Sequence, residues 1–201
     1  MSDDPGAIAD RVAEGVIAAV PQRLGTASSE REREAVFRLR YRTVIEMGWA
    51  TPDQLPDGVE RDDDDEGGLQ VVARDGNELV GTARVVLPRR GRRLPVEREF
   101  GVAARPRDVE VGRTIVVPRL RGDSRHALLL ALFAQCWLEM RSHGFTELLS
   151  AVPGRLVEVY RGLGFEVTEL APAREHWGEE RFPVRFDVLG SASSLRRLIR
   201  D

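Results

Sequence analysis

The chain has 201 residues with 30 basic and 33 acidic side chains, so its net charge of −3 gives no global pull toward nucleic acid or a membrane, and any anion site must be local. Hydrophobic content of 42% and charged content of 31% place it among globular domains, and a lone Cys136 excludes a disulfide framework or a paired-cysteine metal site. Every basic residue is arginine; without lysine there is no Schiff-base amine and no Walker-type phosphate ligand, so anion chemistry falls to guanidinium or backbone N–H groups.

The opening MSDDPGAIAD lacks the basic start of a secretory signal, and no apolar run approaches the ~20 residues that cross a bilayer, so a cytoplasmic protein is expected. Residues 7–19 space Ile8, Val12, Val16 and Ile17 at helical intervals ahead of Pro21. Ser29 to Glu32 form a capping-box pattern opening a second helix, with Ala35, Val36, Leu39, Val44 and Met47 expected inward and an end near Gly48. Arg40 lies among those apolar positions. Residues 59–68 read as an acidic loop, in which Asp63 and Asp64 are expected to be solvated.

LQVVAR-DGN-ELVGTARVVLP reads as a β-hairpin turning at Asp75-Gly76, and strict alternation sets Val80, Thr82, Arg84 and Val86 on one face. A basic loop carries Arg89, Arg90, Arg92 and Arg93; it is either a solvated loop or a docking patch for an acidic acyl-carrier protein. A strand over 109–117 precedes a helix over about 125–142 that is apolar on most sides. A strand from Phe145, a helix ending in glycine (GRLVEVYRGLGF), two further strands (FEVTEL and FPVRFDV) and a terminal helix near 192–199 complete the chain. The order predicts an α+β fold of mixed layers, with a single domain over 28–190, a helix and lead-in over 1–27 and a short C-terminal helix in 191–201.

Three pieces carry candidate chemistry. Glu110 and Arg113, three apart on a regular strand, face opposite ways; they share a site only if the strand is bulged, for which Gly112 is suited, and otherwise are a strand-end carboxylate and a surface cation. The loop Arg121, Gly122, Asp123, Ser124 before a helix offers backbone donors to an anion, or is a plain capped connection. Tyr160, before a glycine turn, is a proton donor or a packed ring. Cys136 is expected in the core, and His126, His143 and His176 have no metal-ligand spacing.

In order, these pieces resemble the acyltransferases of the GNAT fold: a strand carboxylate, Arg119-x-x-Gly122-x-Ser124, then YRGLGF. The upstream stretches FRLRYRTVIEMGW, ERDDDD, VGTARVVLP, LPVEREF and VEVGR look like the acyl-homoserine-lactone synthases and the related long-chain N-acyl amino acid synthases. Val44 stands where that group usually has phenylalanine, and Gly112 where it often has serine or threonine. The resemblance implies a mostly antiparallel mixed sheet flanked by helices. It implies Glu110, Tyr160 and Arg113 as catalytic, and Arg40, Trp49, Asp62, Asp65, Arg84 and Phe100 as a network around the acceptor. Val116, Val117, Arg119, Arg121, Gly122, Asp123 and Ser124 would bind the donor. Acyl-CoA or an acyl-phosphopantetheine carrier protein would be co-substrate, with no metal or resident cofactor, and a small amine such as an amino acid or S-adenosylmethionine the acceptor. An acetyl-CoA-dependent N-acetyltransferase and a non-catalytic acyl-thioester sensor are the alternatives.

Overall fold

A computed structural model describes residues 4–120 and 125–199. Helix α1 (Pro5–Ala18) opens on Asp4, whose carboxylate accepts the Gly6 and Ala7 N–H groups, and buries Ile8, Ala9, Val12, Ala13 and Val16. Helix α2 (Glu30–Glu46) has the expected capping box: Ser29 Oγ accepts the Glu32 N–H, and Glu32 accepts the Ser29 N–H. Val36, Leu39 and Val44 point inward as expected, but Ala35 and Met47 are exposed. Ala35 lies about 100° around the helix from Val36. Met47 follows the last helical residue as its cap and lies at the rim of a cavity.

The sheet runs β1 (Arg23–Thr26), β2 (Leu69–Asp75), β3 (Glu78–Val86), β4 (Asp108–Val116), β5 (Glu147–Pro153), β8 (Glu179–Asp187), β6 (Glu166–Glu169), with β7 (Arg174–His176) also paired to β8. The pairing of β4 with β5 is parallel; all the others are antiparallel. The short strands β1 and β7 escaped the sequence reading, and so did α3 (Pro95–Phe100); each is too brief to show periodicity. The β2–β3 turn falls on Gly76-Asn77, with Gly76 at φ 59°, one residue later than expected.

Helices α1, α4 (Arg125–Ser142), α5 (Gly154–Leu163) and α6 (Val188–Leu195) contribute to one large core cluster against one face of the sheet. In it, α4 buries Leu128, Ala131, Leu132, Cys136, Trp137 and Met140. Each leucine-sized side chain so buried contributes about 1.5–3 kcal/mol. The other face is covered by α2, α3 and the acidic loop.

Two bulges change which residues share a face. On β3, Ala73 pairs with Gly81 and Arg74 with Leu79, so Val80 is an extra residue and packs in the α4-side core. Val80 therefore does not share the face of Thr82 and Arg84, as unbroken alternation had suggested. On β4, Gly112 pairs with Arg84 and Ile115 with Thr82, leaving two β4 residues opposite one. Arg113, at φ 51°, is the left-handed residue of that bulge; Gly112 is not among the residues with positive φ.

Candidate active site

The β4 bulge expected between Glu110 and Arg113 is present, and the Arg113 charge reaches the Glu110 carboxyl. Around them Arg40 of α2, Arg84 of β3 and Arg113 meet the acidic loop in a closed ring of alternating charge. Arg40 Nε donates to Glu60, and Arg113 Nε donates to the other Glu60 oxygen at 3.2 Å. Arg113 Nη2 donates to Asp62 Oδ2 at 2.9 Å, and Arg84 Nη1 donates to Asp62 Oδ1. Arg84 Nη1 also lies 3.1 Å from Asp65 Oδ1. Arg40 closes the ring by gripping both Asp65 oxygens, at 2.8 and 3.0 Å.

Three guanidinium groups thus face three carboxylates at zero net charge, with Arg40 fully buried. This is the condition under which buried ions survive desolvation. Burial alone would raise the pKa of Asp65, but Arg40 and then Arg84 hold it well below the usual carboxylate range. Gln70 Nε2 and the Asp62 N–H brace the same carboxylate at 2.9 and 2.8 Å.

The structure thus brings together Arg40, Arg84, Asp62 and Asp65 of the expected network, and adds to them Arg113, which was expected among the catalytic residues. Asp64 is a correction. It is buried rather than solvated, and it pairs with Arg98 of α3 and with Arg92 at 3.0 Å. Arg92 is accordingly tied to the loop, though it is exposed like Arg89, Arg90 and Arg93. Asp63 is exposed as expected. Glu60 went unread because it begins an acidic run, which usually marks a solvated loop.

The loop's close fit has a measurable consequence. A Cβ on Gly68 would lie 2.8 Å from the Asp64 carbonyl oxygen and 3.2 Å from Arg84 Cδ. Gly68→Ala should therefore destabilise the protein by about 1–3 kcal/mol, as overpacking does. Chemical denaturation would show this as a lowered midpoint; an unchanged midpoint would mean that the loop is not held against β3.

Glu110 stands beside the ring but outside it. Its Oε2 accepts the Val96 N–H at 2.7 Å. Burial pushes its pKa up to about 7, only partly offset by that N–H and by the charges of Arg84 and Arg113. A Cβ built on Gly112 would sit 3.7 Å from Glu110 Oε1, so glycine leaves little between the carboxyl and the cavity that Gly112 lines.

That cavity follows from the sheet. Strands β4 and β5 pair only from Asp108–Glu147 to Glu110–Leu149 and separate beyond. The gap opens a cavity of about 130 Å³. Its apolar wall is Ile115, Val116, Leu129, Phe133, Val152 and Leu156; its polar wall includes Arg113, Arg155, Glu179 and Arg181. Tyr160 also lines it, with its ring edge-to-face against Phe133, Phe165 and Phe186. Burial raises the Tyr160 pKa above the ordinary phenol range, so the hydroxyl keeps its proton.

Of the other expected residues, Trp49 lines the cavity and Arg181 lies 5.2 Å over its ring. Phe100 is buried in α3, edge-on to His176. Val116 lines the cavity, whereas the N–H of buried Val117 is engaged with the Val80 carbonyl at 2.9 Å. Arg119 is on the surface, paired with Glu78 at 2.8 Å. Arg121, Gly122, Asp123 and Ser124 lie outside the described residues.

Trp177 and Arg181 were not anticipated. Trp177 and Gly178 form a two-residue turn between β7 and β8 with φ of 55° and 68°, and a bulky side chain is strained there. The Arg113 guanidinium stacks 4.2 Å above the Trp177 ring. The signal was an aromatic–glycine pair between two charged segments. Among the described residues no cluster of His, Cys, Asp and Glu suits a metal ion, and no helix is long and apolar enough to cross a membrane.

A family model described as N-acyl amino acid synthase FeeM matches residues 35–178. No curated protein matches the sequence. Among solved structures, a CoA-dependent acyl-homoserine lactone synthase, BjaI, with MTA is similar at 21% identity, over 89% of both chains, with a TM-score of 0.71. BjaI with SAM and isopentyl-CoA matches at 22% identity, again over 89% of each chain, with a TM-score of 0.68. FeeM, an N-acyl amino acid synthase from uncultured soil microbes, matches at 17% identity over 89% of this chain and 97% of that one, with a TM-score of 0.62. The fold shared with these proteins is that of the acyl-CoA N-acyltransferases, the one expected from the motifs.

Proposed function

The chain belongs to the N-acyl amino acid synthase FeeM family of acyltransferases, and from that premise we propose the particulars of its reaction. A medium or long acyl group leaves a pantetheine thioester, on coenzyme A or an acyl carrier protein, for the amino group of a small acceptor such as an amino acid or S-adenosylmethionine. The observation that carries this reading is the cavity between the diverging strands. Its wall carries Ile115, Val116, Leu129, Phe133, Val152 and Leu156, side chains suited to an acyl chain.

In this reading the donor arm lies in the gap beside Val116, with its diphosphate toward Arg121 to Ser124. The acceptor nitrogen attacks the thioester carbonyl carbon. The C–N bond forms, Glu110 takes the amine proton directly or through water, and β4 N–H groups support the oxyanion. When the C–S bond breaks, Tyr160 protonates the departing thiolate. The raised Glu110 pKa makes it an effective base near neutrality, and the Tyr160 hydroxyl carries the proton that the thiolate would take. The reaction balances without a redox or metal step. Exposed Arg89, Arg90 and Arg93 offer a basic patch to an acidic carrier protein.

The test is a donor series from acetyl- to palmitoyl-CoA, with matching acyl carrier proteins, against a panel of amines, scored by thiol release and product mass. Octanoyl and longer donors should exceed acetyl-CoA in kcat/KM by at least about tenfold. A preference for acetyl-CoA would make the protein an N-acetyltransferase. Donor binding without turnover on any amine would make it a sensor.

A further inference from the structure

The ring around Arg40, Arg84 and Arg113 is charge-matched, so it offers an incoming carboxylate no surplus cation. The surplus lies on the opposite wall of the cavity, in β8 and at the start of α5. There Arg155 and Arg181 share one anion: Glu179 accepts from Arg155 Nη1 at 2.6 Å and from Arg181 Nη2 at 2.8 Å. Arg113 approaches from the other side with its own charge already balanced.

Arg181 is held for use rather than left loose. Its Nε donates to the His176 carbonyl at 3.0 Å, and its plane lies over Trp49. That leaves Nη1 on a side chain only 17% exposed at the cavity wall. The surroundings are electropositive: burial, then Arg113 and Arg181, lower the His176 pKa to about 4, and burial with Arg113 and Arg155 lowers that of Arg181 itself. A preorganised guanidinium at a site of positive potential, flanked by Trp49 and by the Trp177 turn, suits a planar carboxylate attached to a small organic body.

We propose that Arg181, supported by Arg155, is the counter-ion for the α-carboxylate of the acceptor, which selects amino acids over simple amines. This rests on the acyl-transfer reading above and adds the acceptor's recognition group to it. It also moves that role away from the Arg40–Arg84 network, which fixes the loop instead.

The experiment compares free L-amino acids with their carboxamides, which present the same amine without the charge, using the parent's best acyl-CoA donor. The parent should favour the acids. Arg181→Gln should raise the KM for the acids about 10–100-fold, the scale of one charge-assisted contact, with kcat and the KM for carboxamides and donor changed by less than about threefold. Arg155→Gln should do the same more weakly. If Arg181→Gln folds poorly, Arg181→Lys, which retains charge but not the fork, should still favour acids over carboxamides with an intermediate KM. Equal losses for acid and carboxamide, or a raised donor KM, would assign Arg181 to structure or to donor phosphate and overturn the proposal. A parent that acylates acids and carboxamides equally sinks this proposal but leaves acyl transfer intact; one that acylates no amine removes both.

Discussion

Glu110→Gln is expected to lower turnover by roughly 10²–10⁴-fold while leaving the protein folded and able to bind the acyl donor. Glutamine keeps the shape of the side chain, and its carbonyl oxygen can still accept the Val96 N–H, so what is lost is the capacity to take a proton. The parent's kcat/KM should fall as pH drops below about 7, because the carboxyl then enters the reaction already protonated. The variant should lack that limb and keep only the limb from the acceptor amine.

Stability should move the other way. The folded pKa of about 7 lies above the ordinary 4.5, so the native state holds the proton more tightly than the unfolded chain. This contribution is complete below pH 4.5 and disappears as pH rises through 7, a loss of roughly 3 kcal/mol. Above pH 7 the glutamine variant should therefore be more stable than the parent. Near-parental kcat, or a parental pH profile, would show that Glu110 is not the base.

Arg84→Ala should produce the largest loss of stability, about 3–5 kcal/mol, the range for removing one partner of a buried ion pair. Arg84 is 2% exposed and serves both Asp62 and Asp65, so its removal leaves the ring with one uncompensated negative charge. For a chain of this size the change corresponds to a Tm lowered by about 6–20 °C. Because Asp62 also positions Arg113, activity should fall in the folded fraction as well. A double-mutant cycle with Asp62→Ala should give a coupling of about 0.5–3 kcal/mol. Simple additivity, or a Tm close to that of the parent, would mean that the ring does not act as a unit.

Much of this was visible along the chain. The capping box at Ser29, the hairpin that carries Arg84, the apolar α4 and the glycine end of α5 are local features with their own periodicity or turn chemistry, and they stand where they were expected, the hairpin turn one residue later. The ordered motifs also pointed to the family. Charge pairing was only half visible. Asp62 and Asp65 were expected in the network, while Glu60 and Asp64 were hidden in an acidic run that reads as solvated. Nothing in their neighbours says which carboxylates turn inward.

What the sequence determined by itself is the alternation of helices and strands and the identity of the reactive groups, because both depend on residues within a turn or two of one another. Which groups meet was decided by tertiary structure. Arg40 finds Glu60 20 positions away, and Arg113 finds the same carboxylate 53 positions away. The bulge at Arg113 breaks the alternation that would set it opposite Glu110, and the β7–β8 turn brings the Trp177 ring onto Arg113 from 64 positions along the chain. Buried charges must be matched wherever the packed chain places them, and that condition is satisfied between elements that share no local pattern.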